Sequence, residues 1–392
     1  MTAPTIATTA RHRTSEPQVI DTVLLKTASR CNLDCTYCYV YNMGDDAWRK
    51  QPKRMSVEVV EAIVDQVSRL SHSQSHPLSV VLHGGEPLLL GLESMERLLH
   101  GLRSRSRPGT GLHVQTNGLL LEDDFIELFV RYDVGVSISF DGPIHDLNRV
   151  DHAGRGSHDR VLAAIDRVLR YPGGNHLLGG VLAVVDLRSD PVAVYEALKG
   201  TGTPSFDLLY RDGSHADLPF GKSDPTSTEY GDWMVALTDA YLRDPSPPRI
   251  RVIDDLLRLI LGGRGQKEGV GLTEYGILVI DTDGTITKND TLKVAHVGAD
   301  RFEVARNVTE IDLLNFVATE EFADYFALQE PSAPACRSCP ELGVCGGGMP
   351  AHRFSPENGF NNPTIFCADQ LVLIGELRRR VGVQAPARIE PI

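Results

Sequence analysis

Seven cysteines in two groups constrain this chain more than any other feature of its sequence. They are Cys31, Cys35 and Cys38, followed by Cys336, Cys339, Cys345 and Cys367. Cysteines that only fill a core would be scattered, whereas none occurs between residues 39 and 335. An odd number argues against a set of disulfides, and thiolates a few residues apart can surround one metal centre. The sequence therefore predicts two metal sites, with three and four thiolate ligands.

Composition and charge narrow the possible partners. The 392 residues are 42% hydrophobic and 23% charged, which is ordinary for a globular chain with one large and one smaller domain. The net charge is -13 and there is no basic block, so we expect no nucleic acid partner. No run of 18 apolar residues and no secretory signal occurs. We therefore expect no membrane partner and a cytoplasmic location.

Strand and helix patterns alternate through the first 245 residues. The predicted strands are 23–27, 79–83, 112–116, 134–140, 178–185 and 205–210. The predicted helices between them are 57–70, 92–102, 123–130, 159–169 and 192–198. Right-handed crossovers make such strands parallel. Six units are fewer than the eight of a closed barrel, so we expect an α/β fold with a partial (β/α)6 barrel.

The remaining boundaries come from turn residues and composition. Residues 1–20 are Thr-rich and faintly similar to a transit peptide, but a disordered tail is the better interpretation. The run Asp244-Pro-Ser-Pro-Pro marks a linker at the end of the barrel, residues 21–245. Residues 246–335 then form a bridging region with a helix at 254–261 and a hairpin around Asp283-Gly284. Residues 336–392 contain the last four cysteines and a C-terminal helix.

The first cysteine group, Cys31-Asn-Leu-Asp-Cys35-Thr-Tyr-Cys38, follows the first predicted strand. Three thiolates on a [4Fe-4S] cluster leave one iron open. That iron can hold the amino and carboxylate groups of S-adenosylmethionine (SAM), and one electron then releases a 5'-deoxyadenosyl radical. The alternatives are buried core cysteines or a zinc site in which His83 is the fourth ligand.

The spacing CxxxCxYC after a first strand resembles the signature of the radical SAM superfamily. The segment 83–87, His-Gly-Gly-Glu-Pro, resembles the GGEP motif of that family. The resemblance implies that Gly84, Gly85 and Glu86 bind the SAM amino group. Glycines suit a place where the backbone approaches a ligand closely.

Two further segments, 115–118 and 137–142, resemble parts of the SAM pocket in related peptide-modifying enzymes. The resemblance implies that Asn117 lines the pocket, and that Ser139 and Arg160 contact the ribose and the carboxylate. An arginine suits a carboxylate because its planar fork can hold both oxygens. The resemblance also implies that Tyr37 lies near the adenine. The alternative for Tyr37 is an ordinary core aromatic, and the alternative for Arg160 is a solvated helix residue. His145 and Arg149 are weaker candidates for the cavity wall.

The four later cysteines are a complete ligand set for a second [4Fe-4S] cluster, although spacing alone also allows a structural zinc. The segment resembles the SPASM region of radical SAM peptide maturases, which holds auxiliary clusters. Where the family pattern has further cysteines, this chain has Met349 and, near the hairpin, Asn289. The resemblance therefore implies that one auxiliary cluster is absent and the other is retained. Asp290 follows the lost ligand position, where some relatives place the base that takes a substrate proton. A plain hairpin-turn aspartate is the favoured alternative.

The segments 38–48, 289–294 and 345–355 resemble the FxsB-type group, which joins a side-chain β-carbon to an aromatic ring in ribosomal peptides. The resemblance implies formation of such a crosslink, a cyclophane, in a precursor peptide, with flavodoxin or ferredoxin as the electron donor. Trp48 and His352 fit packing and peptide contact equally well. A sulfatase-maturase-like or thioether-forming enzyme is the second hypothesis, although such enzymes typically retain more cluster cysteines. A non-catalytic iron-sulfur electron carrier or redox sensor is the third.

Overall fold

The computed structural model describes residues 18–385, so most of the predicted tail, residues 1–17, lies outside the described residues. Ile20, which the prediction included in the tail, is fully buried. Its backbone N–H donates to Gln74 Oε1 at 3.1 Å, and its carbonyl accepts from Gln74 Nε2 at 2.7 Å. The ordered body therefore begins before residue 21.

Nine strands of the described chain form one sheet, in the order β7-β6-β5-β4-β3-β2-β1-β8-β9. The strands are β1 Thr22–Ala28, β2 Ser79–Gly84, β3 Gly111–Thr116, β4 Val134–Ser139, β5 Leu178–Val184, β6 Ser205–Leu209, β7 Arg249–Ile250, β8 Ile277–Ile280 and β9 Ile286–Thr287. All neighbouring pairs are parallel except the hairpin of β8 and β9. The six predicted barrel strands are found within one residue at each end, and the predicted α/β fold is confirmed.

Helices connect the strands and cover the outer face of the sheet. In the described residues they are α1 Val57–Ser73, α2 Leu92–Arg105, α3 Asp123–Tyr132, α4 His145–Asn148, α5 His158–Arg170, α6 Pro191–Gly200, α7 Glu229–Arg243, α8 Arg251–Ile260, α9 Leu313–Phe316, α10 Glu320–Ala327, α11 Pro334–Arg337, α12 Leu342–Cys345 and α13 Cys367–Val381. None of them is long and apolar enough to cross a bilayer.

Local sequence explains how these helices start and which face they bury. At the start of α1 the Ser56 hydroxyl accepts from the Val59 N–H at 3.2 Å, as expected of an N-cap. Val60, Ile63 and Val67 then lie on one buried face of α1, at the spacing of an amphipathic helix. Before α6, Asp190 caps the first turn. The five predicted barrel helices are all found.

The sheet extends beyond the predicted linker. β7 follows that linker and pairs with β6, while β8 of the predicted hairpin pairs with β1 on the other side. The reason is burial, since Leu278, Val279 and Ile280 are fully buried once β8 lies beside β1. Part of the predicted bridging region therefore belongs to the barrel sheet. The boundaries at residues 245 and 335 stay predictions.

Candidate active site

A cavity of about 770 Å³ extends from the first residues of some strands, such as Thr22 and Ser205, to the carboxyl ends of others, such as Gly84 and Ser139. The carboxyl-end edge of the strands is where active sites of β/α barrels occur. Its wall contains Cys31, Cys35 and Cys38, together with Tyr37, Gly84, Gly85, Asn117 and Ser139. The structure therefore brings together most of the residues predicted for the first cluster and the SAM pocket.

The three cysteines lie in the loop that follows β1. Cys31 Sγ accepts hydrogen bonds from the Leu33 N–H at 3.4 Å and from Asn117 Nδ2 at 3.7 Å. Burial raises the pKa of the Cys35 thiol to about 11 and that of Cys31 further. Bound iron would offset the free-energy cost of a buried thiolate, because a metal cation stabilises a coordinating thiolate. The donor set in this cavity thus suits an iron-sulfur cluster with three protein ligands.

The zinc alternative requires donors that converge on one ion. His83 lines the same cavity, and its Nδ1 has no hydrogen-bond partner. Burial lowers the pKa of its imidazole. Residues 18–385 contain no group of three or more His, Cys, Asp or Glu side chains placed to hold a single metal ion. The predicted fourth zinc ligand is therefore present in the cavity wall but not arranged with the thiols around one ion.

The two glycines after β2 allow the chain to pass close to the cysteine loop. A Cβ atom on Gly85 would lie 2.0 Å from Tyr41 Oη and 2.3 Å from the Arg30 carbonyl oxygen. Gly84 has a φ of +131°, and a Cβ there would lie 2.3 Å from the Ala28 carbonyl oxygen. Only glycine fits at either position, which leaves the backbone exposed to the cavity.

The Glu86 carboxylate is fully buried and does not line the cavity. Its oxygens accept from the Thr116 hydroxyl at 2.7 Å, the Asn117 N–H at 2.9 Å and the Leu88 N–H at 3.1 Å. Burial raises its pKa to about 7 despite these donors. Glu86 therefore holds the ends of β2 and β3 together, and its contact with SAM stays a prediction.

A buried arginine forms part of the cavity wall, and it is Arg149. Its guanidinium donates to Asp141 at 2.9 Å and lies over the Tyr37 ring, 5.4 Å from the centroid. The Tyr37 hydroxyl also donates to Asp141. These three side chains hold one another, so the wall near Cys35 contains a buried arginine–aspartate ion pair packed against an aromatic ring.

Arg160 does not lie in the SAM pocket, where the prediction places it. Arg160 is exposed on α5 and does not line the cavity, because that helix turns Val161, Ala164 and Ile165 towards the sheet. Ser139 lies in the wall and accepts from Gln115 Nε2 at 2.9 Å. His145 is fully buried outside the wall. The structure thus gives no support to the predicted carboxylate contact of Arg160, whereas Arg149 lines the cavity beside the cysteine loop, and Arg249, Arg251 and Arg258 line it elsewhere.

Asp290, the predicted base, lies behind the cavity wall. It is 2% exposed, forms an ion pair with Lys26 at 3.5 Å and accepts from the Tyr39 hydroxyl at 3.0 Å. Burial raises its pKa, but Lys26, His83 and the Tyr39 hydrogen bond bring it below the ordinary value. Tyr39 and His83 line the cavity, whereas Asp290 does not. Asp290 is therefore connected to the cavity wall through its neighbours Tyr39 and His83.

The second cysteine group lies at α11, α12 and the start of α13. Cys345 interacts electrostatically with Cys336, Cys339 and Cys367, so the four thiols are neighbours. Arg353 is buried beside them, with its guanidinium donating to the carbonyls of residues 328 and 329. Its Nε–H is buried without an acceptor. An anionic centre held by these thiolates would offset that uncompensated positive charge.

Asn289 stands at the position predicted to have lost a cluster ligand, and its side chain forms a hydrogen bond instead. Asn289 Nδ2 donates to Glu268 Oε1 at 2.5 Å. Glu268 lines the main cavity, and burial raises its pKa to about 7. Sequence reasoning missed Glu268, because a single glutamate in the Gly-rich segment 262–276 belongs to no motif.

Comparison with known proteins agrees with this geometry. Residues 25–182 match the model of the Radical SAM superfamily. This segment is a radical SAM domain. It includes the three-cysteine loop, Gly84, Gly85, Asn117 and Ser139. The chain is therefore a radical SAM enzyme, a class that uses SAM and a [4Fe-4S] cluster.

Relatives extend the similarity beyond that domain. A cysteine-type anaerobic sulfatase-maturating enzyme of Clostridium perfringens is 26% identical over 357 residues, which cover 88% of this chain and 93% of the relative. A serine-type anaerobic sulfatase-maturating enzyme of Bacteroides thetaiotaomicron is 25% identical, covering 83% of this chain and 81% of the relative. The similarity thus extends well beyond residues 25–182.

Solved structures share the fold of this radical SAM enzyme. Native anSMEcpe with bound AdoMet and the Cp18Cys peptide superposes with a TM-score of 0.78 at 24% identity, covering 92% of this chain and 97% of that one. Streptococcus suis SuiB bound to the precursor peptide SuiA has a TM-score of 0.59 at 14% identity, covering 86% and 73%. These matches confirm the partial-barrel fold of the chain.

Proposed function

We propose that this radical SAM enzyme oxidises a side chain in a peptide or protein, in a reaction of the sulfatase-maturating type. The observation that carries the proposal is the cavity, which holds three cysteines and a wide wall at the strand ends. Its volume of about 770 Å³ lies in the range of ligand pockets, and the cluster, SAM and the reacting side chain would share it. The curated relatives named above are both maturating enzymes.

Cys31, Cys35 and Cys38 would hold the [4Fe-4S] cluster at which SAM binds. When bound, these cofactors supply one electron and a 5'-deoxyadenosyl radical that removes a hydrogen atom from the substrate. The backbone at Gly84 and Gly85 and the side chains of residues 37, 117 and 139 would position SAM. Arg149 would take the role predicted for Arg160, since it lines the cavity and Arg160 does not; its N–H groups that are not bonded to Asp141 suit the SAM carboxylate.

Cys336, Cys339, Cys345 and Cys367 would hold the second, auxiliary [4Fe-4S] cluster. The unpaired Nε–H of Arg353 and its buried charge beside Cys336 and Cys345 support an anionic centre there. A closed cluster of this kind suits acceptance of the electron that the oxidised substrate gives up. An external donor such as flavodoxin or ferredoxin would reduce the SAM cluster.

Formation of a cyclophane crosslink is a second candidate for the same enzyme. It is favoured by the replacement of cluster ligands near Asn289 and Met349, because Asn289 bonds Glu268 instead of binding metal. The cavity wall also contains His352, Phe366 and Tyr210, which form a polar and aromatic surface that suits a peptide with aromatic residues. The relatives favour side-chain oxidation, while this departure from the cluster pattern favours crosslinking.

The test is an anaerobic assay with reconstituted enzyme, dithionite and SAM. The substrates are a sulfatase-derived peptide with cysteine, the same peptide with serine, and precursor peptides with aromatic residues. We expect 5'-deoxyadenosine formation that depends on peptide, with a change in peptide mass. Tandem mass spectrometry distinguishes the candidates, because a crosslink suppresses fragmentation between the joined residues whereas oxidation of one residue does not.

Cluster content is the control for loading. Replacement of Cys31, Cys35 and Cys38 by alanine should remove about half of the iron and sulfide and abolish SAM cleavage. Replacement of the four later cysteines should remove the other half, and zinc in place of iron there would show a structural site. If the enzyme with both clusters cleaves SAM without any peptide and modifies none of the peptides tested, the proposed peptide oxidation is wrong.

A further inference from the structure

Glu268 lies between the main cavity and a second pocket. It lines the 770 Å³ cavity, and it also lines a pocket of about 220 Å³ whose wall contains most of the segment 268–274. Gly269 and Gly348 are shared by the same two walls. The second pocket is bounded by exposed residues such as Leu272 and Glu274, so it leads to solvent. Glu268 therefore belongs to the wall of the reaction space and to the wall of a pocket that opens to solvent.

The contacts of Glu268 leave one carboxylate oxygen available. Asn289 Nδ2 donates to Oε1 at 2.5 Å, and no hydrogen bond to Oε2 is found among the described residues. The charged and titratable groups around Glu268 are Lys267, Asp290, Tyr275, Tyr325, Glu274 and Glu330. Asn289 orients the carboxyl group without neutralising it, since an amide donates a hydrogen bond but carries no charge.

Asp290 is less suited to receive a proton from the cavity. It is 2% exposed, it is paired with Lys26, it accepts a hydrogen bond from Tyr39, and it does not line the cavity. Its pKa lies below the ordinary value, whereas burial raises that of Glu268 to about 7. A group with a pKa near the working pH exchanges protons most effectively in both directions.

We infer that Glu268 accepts the proton that the substrate loses and releases it to solvent through the second pocket. The inference rests on the proposed function, because the substrate loses two hydrogens in either proposed reaction. The substrate gives up one hydrogen atom to the 5'-deoxyadenosyl group, one electron to an oxidised iron-sulfur acceptor and one proton to Glu268. Protonated Glu268 then gives the proton to water in the second pocket, which restores the carboxylate.

The experiment compares wild-type enzyme with the E268Q, E268D and D290N variants, and with E196Q as a control for an exposed glutamate on α6. For E268Q we expect peptide-dependent 5'-deoxyadenosine at a rate near that of wild type, but product formation about 100-fold slower. E268D should recover part of the product rate. The wild-type product rate should rise with pH around a midpoint near 7, and this dependence should be absent in E268Q.

A second readout does not depend on turnover. The infrared difference between wild type and E268Q should contain a protonated-carboxyl band that disappears with rising pH. Product formation by E268Q at the wild-type rate would overturn the inference, as would a product defect in D290N alone. Absence of peptide-dependent 5'-deoxyadenosine in wild type is a different result, because it rejects the proposed function itself.

Discussion

Replacement of Glu86 by glutamine tests how the end of β2 is held to the end of β3. The carboxyl group is fully buried, and burial raises its pKa from 4.5 to about 7. Because the folded-state pKa is the higher one, the folded protein binds more protons between these values. The favourable contribution of this group is then present below pH 4.5 and is lost as pH rises through 7. A shift of this size corresponds to roughly 3 kcal/mol.

The assay is urea unfolding of cluster-free wild-type and E86Q protein at pH 5, 6, 7 and 8. Glutamine does not ionise, so the difference between the two proteins isolates the carboxyl group. At pH 5 we expect E86Q to be less stable by about 1–3 kcal/mol, because an amide nitrogen cannot accept from Thr116 or Asn117. Between pH 5 and 8 the wild type should lose most of this advantage.

The opposite slope would refute this reasoning. If the stability advantage of wild type over E86Q grows with pH, the three donors stabilise the carboxylate more than burial destabilises it. The pKa of Glu86 would then lie below its ordinary value, and the residue would be ionised when SAM binds.

Three other predictions concern buried charge and close packing. The K26M variant leaves the buried Asp290 without its partner at 3.5 Å, so the free energy of unfolding at pH 7 should fall by about 3–5 kcal/mol. This stability should recover as the pH falls. Equal stability of the variant and the wild type in urea unfolding would contradict the prediction. G85A forces a Cβ to within 2.0 Å of another atom and should cost about 1–3 kcal/mol and lower iron content, whereas G375A, with open space in α13, should do neither. The R353M variant removes a buried positive charge beside the second cysteine group. The midpoint potential of the auxiliary cluster, measured by redox titration with electron paramagnetic resonance, should become more negative. An unchanged potential would show that Arg353 does not influence the cluster.

The sequence predicted the barrel well because its signals are local. Apolar residues at period 2 and at helical spacing located six strands and five helices, since side-chain direction within one element follows its own geometry. The same patterns did not show that β7 and β8 extend the sheet. Those strands are short, and their pairing with β6 and β1 depends on chain segments far away in sequence.

For the site, motif spacing identified the cysteines and the two glycines but did not identify every charged group. Arg160 and Arg149 both follow β4, and only packing decides that Arg149 pairs with Asp141 while Arg160 stays exposed. Asp290 was selected by its place after a turn, and Glu268 belongs to no motif. Which carboxyl group faces the cavity is decided by Tyr39 and Asn289, which approach from distant parts of the chain.

The sequence by itself determined the chemistry of this protein: seven thiols in groups of three and four, on a strand and helix alternation with a Gly-Gly turn after the second strand. These features depend on residue type and on short spacings, which the order of the chain specifies directly. The tertiary structure alone decided which charged side chains meet the cavity and which are neutralised behind its wall. That outcome depends on burial and on contacts between residues far apart in the chain, such as Tyr39 and Asp290, which are 251 positions apart, and no local pattern encodes it.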